Sequence, residues 1–373
     1  MRILQVVTSL HIGGAEHLVT QMAIAMTELG HTVDVCVLDG EETIFSKELR
    51  EKAIKVISLG TSVYNPLHIL KLAKLMRNYD LVHTHNSSPQ LFVAIASMIS
   101  RPGLCTTEHN TSNRKRNWKW YAPIESWMYG RYDHAVCISK IAEDKLREYM
   151  GGKWTRPDSD IYNKVSTINN GVDVNAIYKA EADKELTRLK GNRKAIVMVA
   201  GFREAKDQDT VVKAMALLDK EQYEVWFAGI GVRENEVRKL AEETGIKERV
   251  RFLGLRSDVP NVLKAADIVV MSSHWEGLSL SNVEGMSAGK PFVASDVNGL
   301  REVTKGYGMM FRHEDYKELA DIIMSLGKSN ELYYTTARNC LNRAMEFDLS
   351  RMVREYENVY YRIINSKLEE TGT

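Results

Sequence analysis

The sequence predicts an α/β fold made of two doubly wound parallel-sheet domains. Three observations carry that expectation. Short runs rich in valine and isoleucine alternate with longer amphipathic segments along most of the chain. The alternation restarts near Lys194 after a polar stretch at 173–193. The 373 residues also exceed what one hydrophobic core usually supports. Strands that alternate with helices imply right-handed crossovers and helices on both faces of each sheet, hence two Rossmann-like domains with a cleft between them.

The strand candidates of the first half are 3–7, 33–38, 56–59, 81–83, 104–106, 135–138 and 165–168. Those of the second half are 195–199, 225–228, 250–253, 268–271 and 292–294. Between them, 17–29 aligns Leu18, Met22, Ala25, Met26 and Leu29 on one helical face, and Gly30 closes it. Segments 210–218 and 233–243 repeat the pattern. One polar and aromatic stretch, 151–163, breaks the rhythm and reads as a loop insertion. The closing segment 349–368 is a polar helix whose contact stripe is Met352, Tyr356, Val359, Tyr360 and Ile363. The expected domains are 1–171, with helix 354–373 packing back on it, and 172–353.

The composition excludes several classes. An apolar fraction of 44% and a charged fraction of 27% are those of a globular protein. Fifty basic residues against 49 acidic ones leave a net charge of +1, so no whole-molecule field draws in nucleic acid or anionic lipid. Cys36, Cys105, Cys137 and Cys340 are widely spaced and read as reduced thiols of a cytoplasmic protein. The first apolar run is too short for a secretion signal, and no stretch approaches the ~20 apolar residues of a membrane span. The furthest membrane involvement expected is peripheral docking on the inner face.

The strongest chemical signal is SSHWEGLSLSNVEGMSAGKP at 272–291, directly after the strand at 268–271. A strand here leads through a glycine-containing loop into a helix starting at 279–282. Amides of such a loop and first turn point outward to phosphate or hydroxyls. Glu276 falls in the loop and Glu284 two turns into the helix, and at ~1.5 Å rise per residue the carboxylates stand roughly 10 Å apart. That spacing suits two parts of one extended ligand. A lone carboxylate is ordinarily a solvated surface group, but Gly277, Gly285, Gly289 and Pro291 surround these two.

The segment resembles the EGxPxxxxEAMAxGxPVV region of glycosyltransferase family 4, retaining enzymes of the GT-B fold. The family's paired glutamates fall on Glu276 and Glu284, with Ser279 in place of the proline and Gly285 in place of the alanine. The resemblance implies that Glu276 contacts donor-sugar hydroxyls, that Glu284 binds the ribose, and that Gly277, Leu278 and Ser279 supply amides.

The rest of the chain follows the family in order. Gly13 and Gly14, between the first strand and first helix, resemble its GGAE loop and permit close backbone approach to an anion. His83 and His85 end one strand and His109 follows the next. Spacing places no third ligand on the HxH pair, so a zinc reading fails. The resemblance implies His109 at the donor sugar, with His85 lining the acceptor side and His83 structural.

Asn170-Gly171-Val172-Asp173 resembles the segment that opens the interdomain linker, and it is also an ordinary Asn-Gly turn. Lys206 falls on the family's diphosphate lysine, but Gly201 stands where the family has arginine, removing a bidentate phosphate contact. Either Arg203 substitutes from another angle, or Lys206 and backbone amides act without it. Gly229 and Gly231 resemble the GxG turn beside the nucleotide, 250–255 the strand near the base, and Glu302 the last residue of a donor-site loop.

Two further features are weighed. Asp158-Ser159-Asp160 has the form of the metal motif of the other large glycosyltransferase fold, but it follows Pro157 in a predicted loop. Residues 113–121, NRKRNWKWY, read as a solvated basic loop, a lipid-headgroup contact or an acceptor groove. The expected activity is transfer of a hexosyl or N-acetylhexosaminyl unit from a nucleotide-diphosphate sugar to a saccharide or lipid-linked acceptor, with no metal and no other cofactor. A sugar-nucleotide epimerase and a non-catalytic nucleotide-sugar-binding protein are the alternatives.

Overall fold

The computed structural model describes residues 1–371 apart from 12, 110–117, 119–120 and 277–279. The chain divides into two units, Met1–Gly171 with Leu349–Thr373, and Val172–Asp348.

In the first unit, β1 (Arg2–Val7), β2 (Thr32–Val37), β3 (Lys55–Ser58), β4 (Leu81–His85), β5 (Gly103–Glu108), β6 (His134–Cys137) and β7 (Val165–Thr167) form one sheet. Its order is β3-β2-β1-β4-β5-β6-β7, with every pairing parallel. Ile3 and Val7 point to one face, Leu4 and Val6 to the other, and all four are fully buried. Both faces are apolar because helices cover both. Helices Gly14–Glu28 and Leu349–Thr371 cover the Ile3 side, and Leu67–Met76 and Ser87–Ala96 the Leu4 side. All five stripe residues of the last helix are buried. The four cysteines are free and buried.

Segment 151–163 is not the loop expected from its polar sequence. It forms a 3-10 turn, Gly152–Thr155, and a short helix, Asp160–Asn163. Arg147 organises both turns from the preceding helix Lys140–Met150. Its guanidinium donates to the carbonyls of Trp154, Tyr162 and Val165, pairs with Glu143 at 2.7 Å and covers the Tyr162 ring at 3.7 Å. Trp154 is buried beneath. Ser159 caps the short helix, so Asp158 and Asp160 are exposed neighbours of a helix start rather than a strand-end pair.

In the second unit, β8 (Lys194–Val199), β9 (Tyr223–Ala228), β10 (Val250–Gly254), β11 (Ile268–Met271), β12 (Phe292–Ser295) and β13 (Met309–Phe311) are ordered β10-β9-β8-β11-β12-β13. β13 is an addition to the strands legible in the sequence. At three residues on a sheet edge it has too short a run to show a period. The first helix begins at Gly14, three residues before the apolar pattern does, because its opening turn faces solvent. Glu284 is the fifth residue of helix Leu280–Ser287, one turn in and not two.

Two departures from the family motif fit each other. A Cβ on Gly285 would lie 2.6 Å from the Phe292 ring and 2.9 Å from a Val269 methyl. Phe292 occupies the first valine of the motif's PVV, so a larger strand residue faces a smaller helix residue. Gly285→Ala gains up to about 1 kcal/mol of helix propensity. It overpacks a buried rigid ring, which costs about 1–3 kcal/mol. We expect a net loss in urea unfolding, and the same change should cost less in a Phe292→Val background. A Gly285→Ala chain as stable as the parent would refute the packing account.

Candidate functional site

In a doubly wound sheet, ligands bind beyond the carboxyl ends of the strands, where the winding reverses. In the second unit that reversal lies between β8 and β11. The loop after β8 carries Gly201, Arg203 and Lys206, and the loop after β11 carries Ser273, His274 and Glu276.

The two loops are tied together. Ser272 Oγ donates to the carbonyl of Asp207 at 2.6 Å, and the His274 amide donates to the carbonyl of Ala205 at 2.8 Å. Asp207, in the left-handed region at φ 47°, caps helix Gln208–Leu217 by accepting from the Thr210 amide. Lys206 Nζ donates to Glu276 Oε1, which also accepts from Ser273 Oγ at 2.7 Å. Both charged side chains are largely covered, with 19% of Lys206 and 13% of Glu276 exposed. The sequence singled out this lysine and this glutamate separately, and the fold makes them an ion pair.

Beside them, a Cβ on Gly229 would meet the Ala200 carbonyl oxygen at 2.2 Å, and Gly229 has φ +150°. Only glycine lets the loop after β9 lie this close to the loop after β8. The Phe202 amide donates to the Ile230 carbonyl at 3.1 Å, which keeps the two loops side by side. A Cβ on Gly201 would lie 3.3 Å from the Ile230 carbonyl oxygen, a tight fit, and 3.7 Å from Arg203 Nε. The exposed Arg203 thus folds back over the position of the absent arginine, with no acidic partner among the described residues. Glu284 is half-buried with no partner among the described residues, and burial raises its carboxyl pKa. Glu302 closes a turn by accepting from the Gly299 amide, which is a structural contact. Gly277, Leu278 and Ser279 lie outside the described residues.

In the first unit the reversal lies between β1 and β4. Gly13 precedes helix Gly14–Glu28 with an extended backbone, and the Glu16 carboxylate folds onto it, 2.2 Å from a Gly13 Cβ position. The positive end of this helix therefore already faces an anion belonging to the chain. Gly14 is exposed with open space around it.

His85 does not line a ligand surface: it is fully buried beneath His109. Its Nε2 lies 2.8 Å from Gln5 Oε1, an oxygen that only accepts, so Nε2 carries the proton. Nδ1 is then bare and accepts from His109 Nε2 at 3.0 Å. His109, half-buried, is left with Nδ1 as a free acceptor. Behind them, Gln5 donates to Tyr360 Oη at 3.3 Å, Tyr360 Oη bonds His83 Nδ1 at 2.6 Å, and His83 Nε2 bonds Thr107 Oγ1 at 2.8 Å. Thr107 in turn bonds Tyr356 at 3.1 Å. Burial holds His83 and His85 well below the ordinary imidazole range and pulls His109 down to about 4.

Sequence reasoning missed Gln5, Thr107, Tyr356, Tyr360 and Ser273 as partners of the site. A polar residue at an inward position of an apolar strand, as Gln5 is, was the available signal.

Comparison with known proteins agrees with this geometry. Residues 12–176 match the family described as Glycosyltransferase Family 4, and residues 179–343 match Glycosyl transferases group 1. The chain belongs to the family 4, group 1 glycosyltransferases. The N-acetyl-alpha-D-glucosaminyl L-malate synthase of Bacillus anthracis is 24% identical, over 95% of each chain. The UDP-Gal:alpha-D-GlcNAc-diphosphoundecaprenol alpha-1,3-galactosyltransferase of Escherichia coli is also 24% identical, over 83% of this chain and 82% of that one. Among solved structures, Anabaena Alr3699/HepE in complex with UDP aligns with a TM-score of 0.81 at 22% identity, covering 97% of this chain and 100% of that one. The fold of this glycosyltransferase is GT-B, with two Rossmann-like parallel-sheet domains. No helix among the described residues is long and apolar enough to cross a membrane.

The buried imidazoles give this glycosyltransferase a defined acid response. His83 and His85 are neutral in the folded chain and titrate near ~6.5 once unfolded. The unfolded state therefore takes up protons that the folded state refuses. Their contribution is whole above about pH 6.5 and falls by about 1.4 kcal/mol per pH unit per histidine below it. Urea midpoints from about pH 7 to about pH 5 should drop accordingly, less steeply in His83→Gln. A parent slope no steeper than the variant's would refute the neutral assignment.

Proposed function

We propose that this glycosyltransferase moves a hexosyl or N-acetylhexosaminyl unit, with retention of anomeric configuration, from a nucleotide-diphosphate sugar to a saccharide or lipid-linked acceptor in cell-surface polysaccharide synthesis. The observation that carries the proposal is the Lys206–Glu276 pair at the winding reversal of the second unit. Glu276 Oε1 is held by Lys206 and Ser273, which leaves Oε2 for a donor-sugar hydroxyl. Lys206, fixed there, stands ready for the diphosphate. Glu284, lacking a partner among the described residues, takes the ribose hydroxyls. The E. coli relative named with UDP-Gal, and Alr3699/HepE described with UDP and UDP-glucose, support a uridine diphosphate sugar as the first donor to test. A lipid-linked acceptor, as in the name of the E. coli relative, would bring the reaction to the cytoplasmic face of the membrane.

In the reaction the bond from the anomeric carbon to the diphosphate oxygen breaks, and its electron pair leaves with the nucleotide. The acceptor oxygen bonds to the anomeric carbon on the face just vacated, and its proton passes to a phosphate oxygen. Charge gathers on the diphosphate, so fixed cations aimed there lower the barrier. We assign this role to Lys206 and Arg203, with backbone amides of the Gly229 loop. His109 Nδ1 accepts from a donor-sugar hydroxyl, while Gly14 is open to an anion and Gly13 becomes so when Glu16 swings away. These cations make a divalent ion on the diphosphate unnecessary, so added Mg2+ or Mn2+ should leave the rate unchanged. Strict dependence on either would defeat that part of the mechanism.

Two variants test the donor site. Glu276→Ala should lower kcat roughly 100-fold or more while nucleotide binding survives, and an unchanged kcat would remove Glu276 from the site. Arg203→Ala should lower kcat/KM about tenfold or more through loss of a charge-assisted phosphate contact. Gly201→Arg in the same chain should restore it once the loop yields slightly to the new Cβ, which would lie 3.3 Å from the Ile230 carbonyl oxygen. Nuclear magnetic resonance of the newly formed anomeric centre reads retention directly, and an inverted product would sink that assignment.

A further inference from the structure

The loops after β11 and β13 meet through three side chains outside the donor chemistry. His274 Nδ1 lies 2.8 Å from His313 Nε2 and 3.4 Å from Glu314 Oε1. His313 Nε2 lies 3.9 Å from that same carboxylate oxygen. Two imidazole nitrogens and one carboxylate oxygen thus converge. Their mean separation of about 3.4 Å is the ligand-to-ligand spacing around a tetrahedral ion with bonds of ~2.0–2.1 Å.

The surroundings are built for a cation. The other nitrogen of His274, Nε2, faces Asp207 Oδ1 at 4.0 Å. A carboxylate behind the non-ligating nitrogen is what orients a metal-bound histidine. Asp207 is 4% exposed, and its Oδ2 is buried without a hydrogen-bond partner. His274 and Glu314 lie on the wall of a pocket of about 720 Å³. Its other walls include Glu204, Asp207, Asp209 and Glu236 against Lys213 and Arg233, an acidic excess.

We propose that His274, His313 and Glu314 bind a divalent transition ion of zinc type, with water completing the shell and Asp207 orienting His274. Neutral imidazoles with a carboxylate suit zinc and cobalt better than calcium or magnesium, which prefer all-oxygen shells. The ion would pin the loop leading to Glu276 onto the loop after β13, so its role is to brace that loop. It takes no part in the diphosphate chemistry.

The test uses the full chain, stripped with chelator and without nucleotide sugar, titrated with ZnCl2 by calorimetry and with Co2+ by visible absorption. One equivalent should bind, cobalt should show the intense bands of a tetrahedral site, and zinc should raise Tm. His313→Ala should weaken zinc binding roughly tenfold or more and abolish the cobalt bands, with Glu314→Gln between. His11→Ala, which alters a separate surface cluster with Asp39 and Glu41, should bind as the parent does. The proposal is overturned by non-saturable binding, by His313→Ala binding like the parent, or by His11→Ala losing the site. Because transfer is not read, this outcome stands apart from the success or failure of the donor-site assignments.

Discussion

The winding of the second sheet reverses between β8 and β11, and that reversal governs the proposed donor site. Adjacent parallel strands there send their connections to opposite faces, so the loops after them diverge and leave a space where the chain itself supplies little. The divergence is held open rather than collapsed. Ser272 and the His274 amide fix the loop after β11 to the carbonyls of Asp207 and Ala205, and Lys206 reaches across to Glu276. Largely covered, the ion pair cannot dissolve into solvent without leaving either charge poorly satisfied. It therefore acts as a spacer of fixed length with one carboxylate oxygen to spare.

The first unit solves a different problem with the same topology. Its reversal lies at β1 and β4, but the groups behind it are buried and uncharged. The Gln5 oxygen sets the direction of the bonds through His85 to His109, and Gln5, Tyr360, His83 and Thr107 continue the network behind them. A network of this kind is stable only when all of its members are satisfied, since an unpaired buried group is costly in a low dielectric. Its result is a single imidazole nitrogen on His109 presented as an acceptor. Tyr356 and Tyr360 come from helix Leu349–Thr371, so this helix closes the network around His83, which lies 277 positions before Tyr360.

Much of the fold was legible because buried parallel strands are near-continuous apolar runs. Twelve of the thirteen strands lie under such runs, and β13 escaped because three residues show no period. The polar stretch 151–163 was misread for a physical reason. Its order comes from Arg147 outside the segment, whose guanidinium satisfies three carbonyls, and local composition carries no trace of that. At the site, Glu276, Glu284 and Lys206 were legible as a motif. Their pairing was not, because Lys206 and Glu276 are 70 residues apart. His274 and His313, 39 apart, are invisible to any spacing rule for metal ligands for the same reason.

The departures from the family motif are better understood as displaced than as lost. Removing a methyl at Gly285 makes way for part of the volume that phenylalanine adds at 292, and cores accept such changes when neighbouring positions compensate. Gly201 and Arg203 make the equivalent exchange in charge. The guanidinium is absent from its usual backbone position, yet Arg203 Nε lies 3.7 Å from where that side chain would start. Phosphate recognition depends on where the charged fork arrives and not on which Cα it leaves. A glycine at 201 also keeps the space beneath the returning side chain clear, so the deletion and the relocation require each other. Under the proposed function, Gly201 would be the condition under which Arg203 reaches the diphosphate, and the gap in the motif would be part of the site.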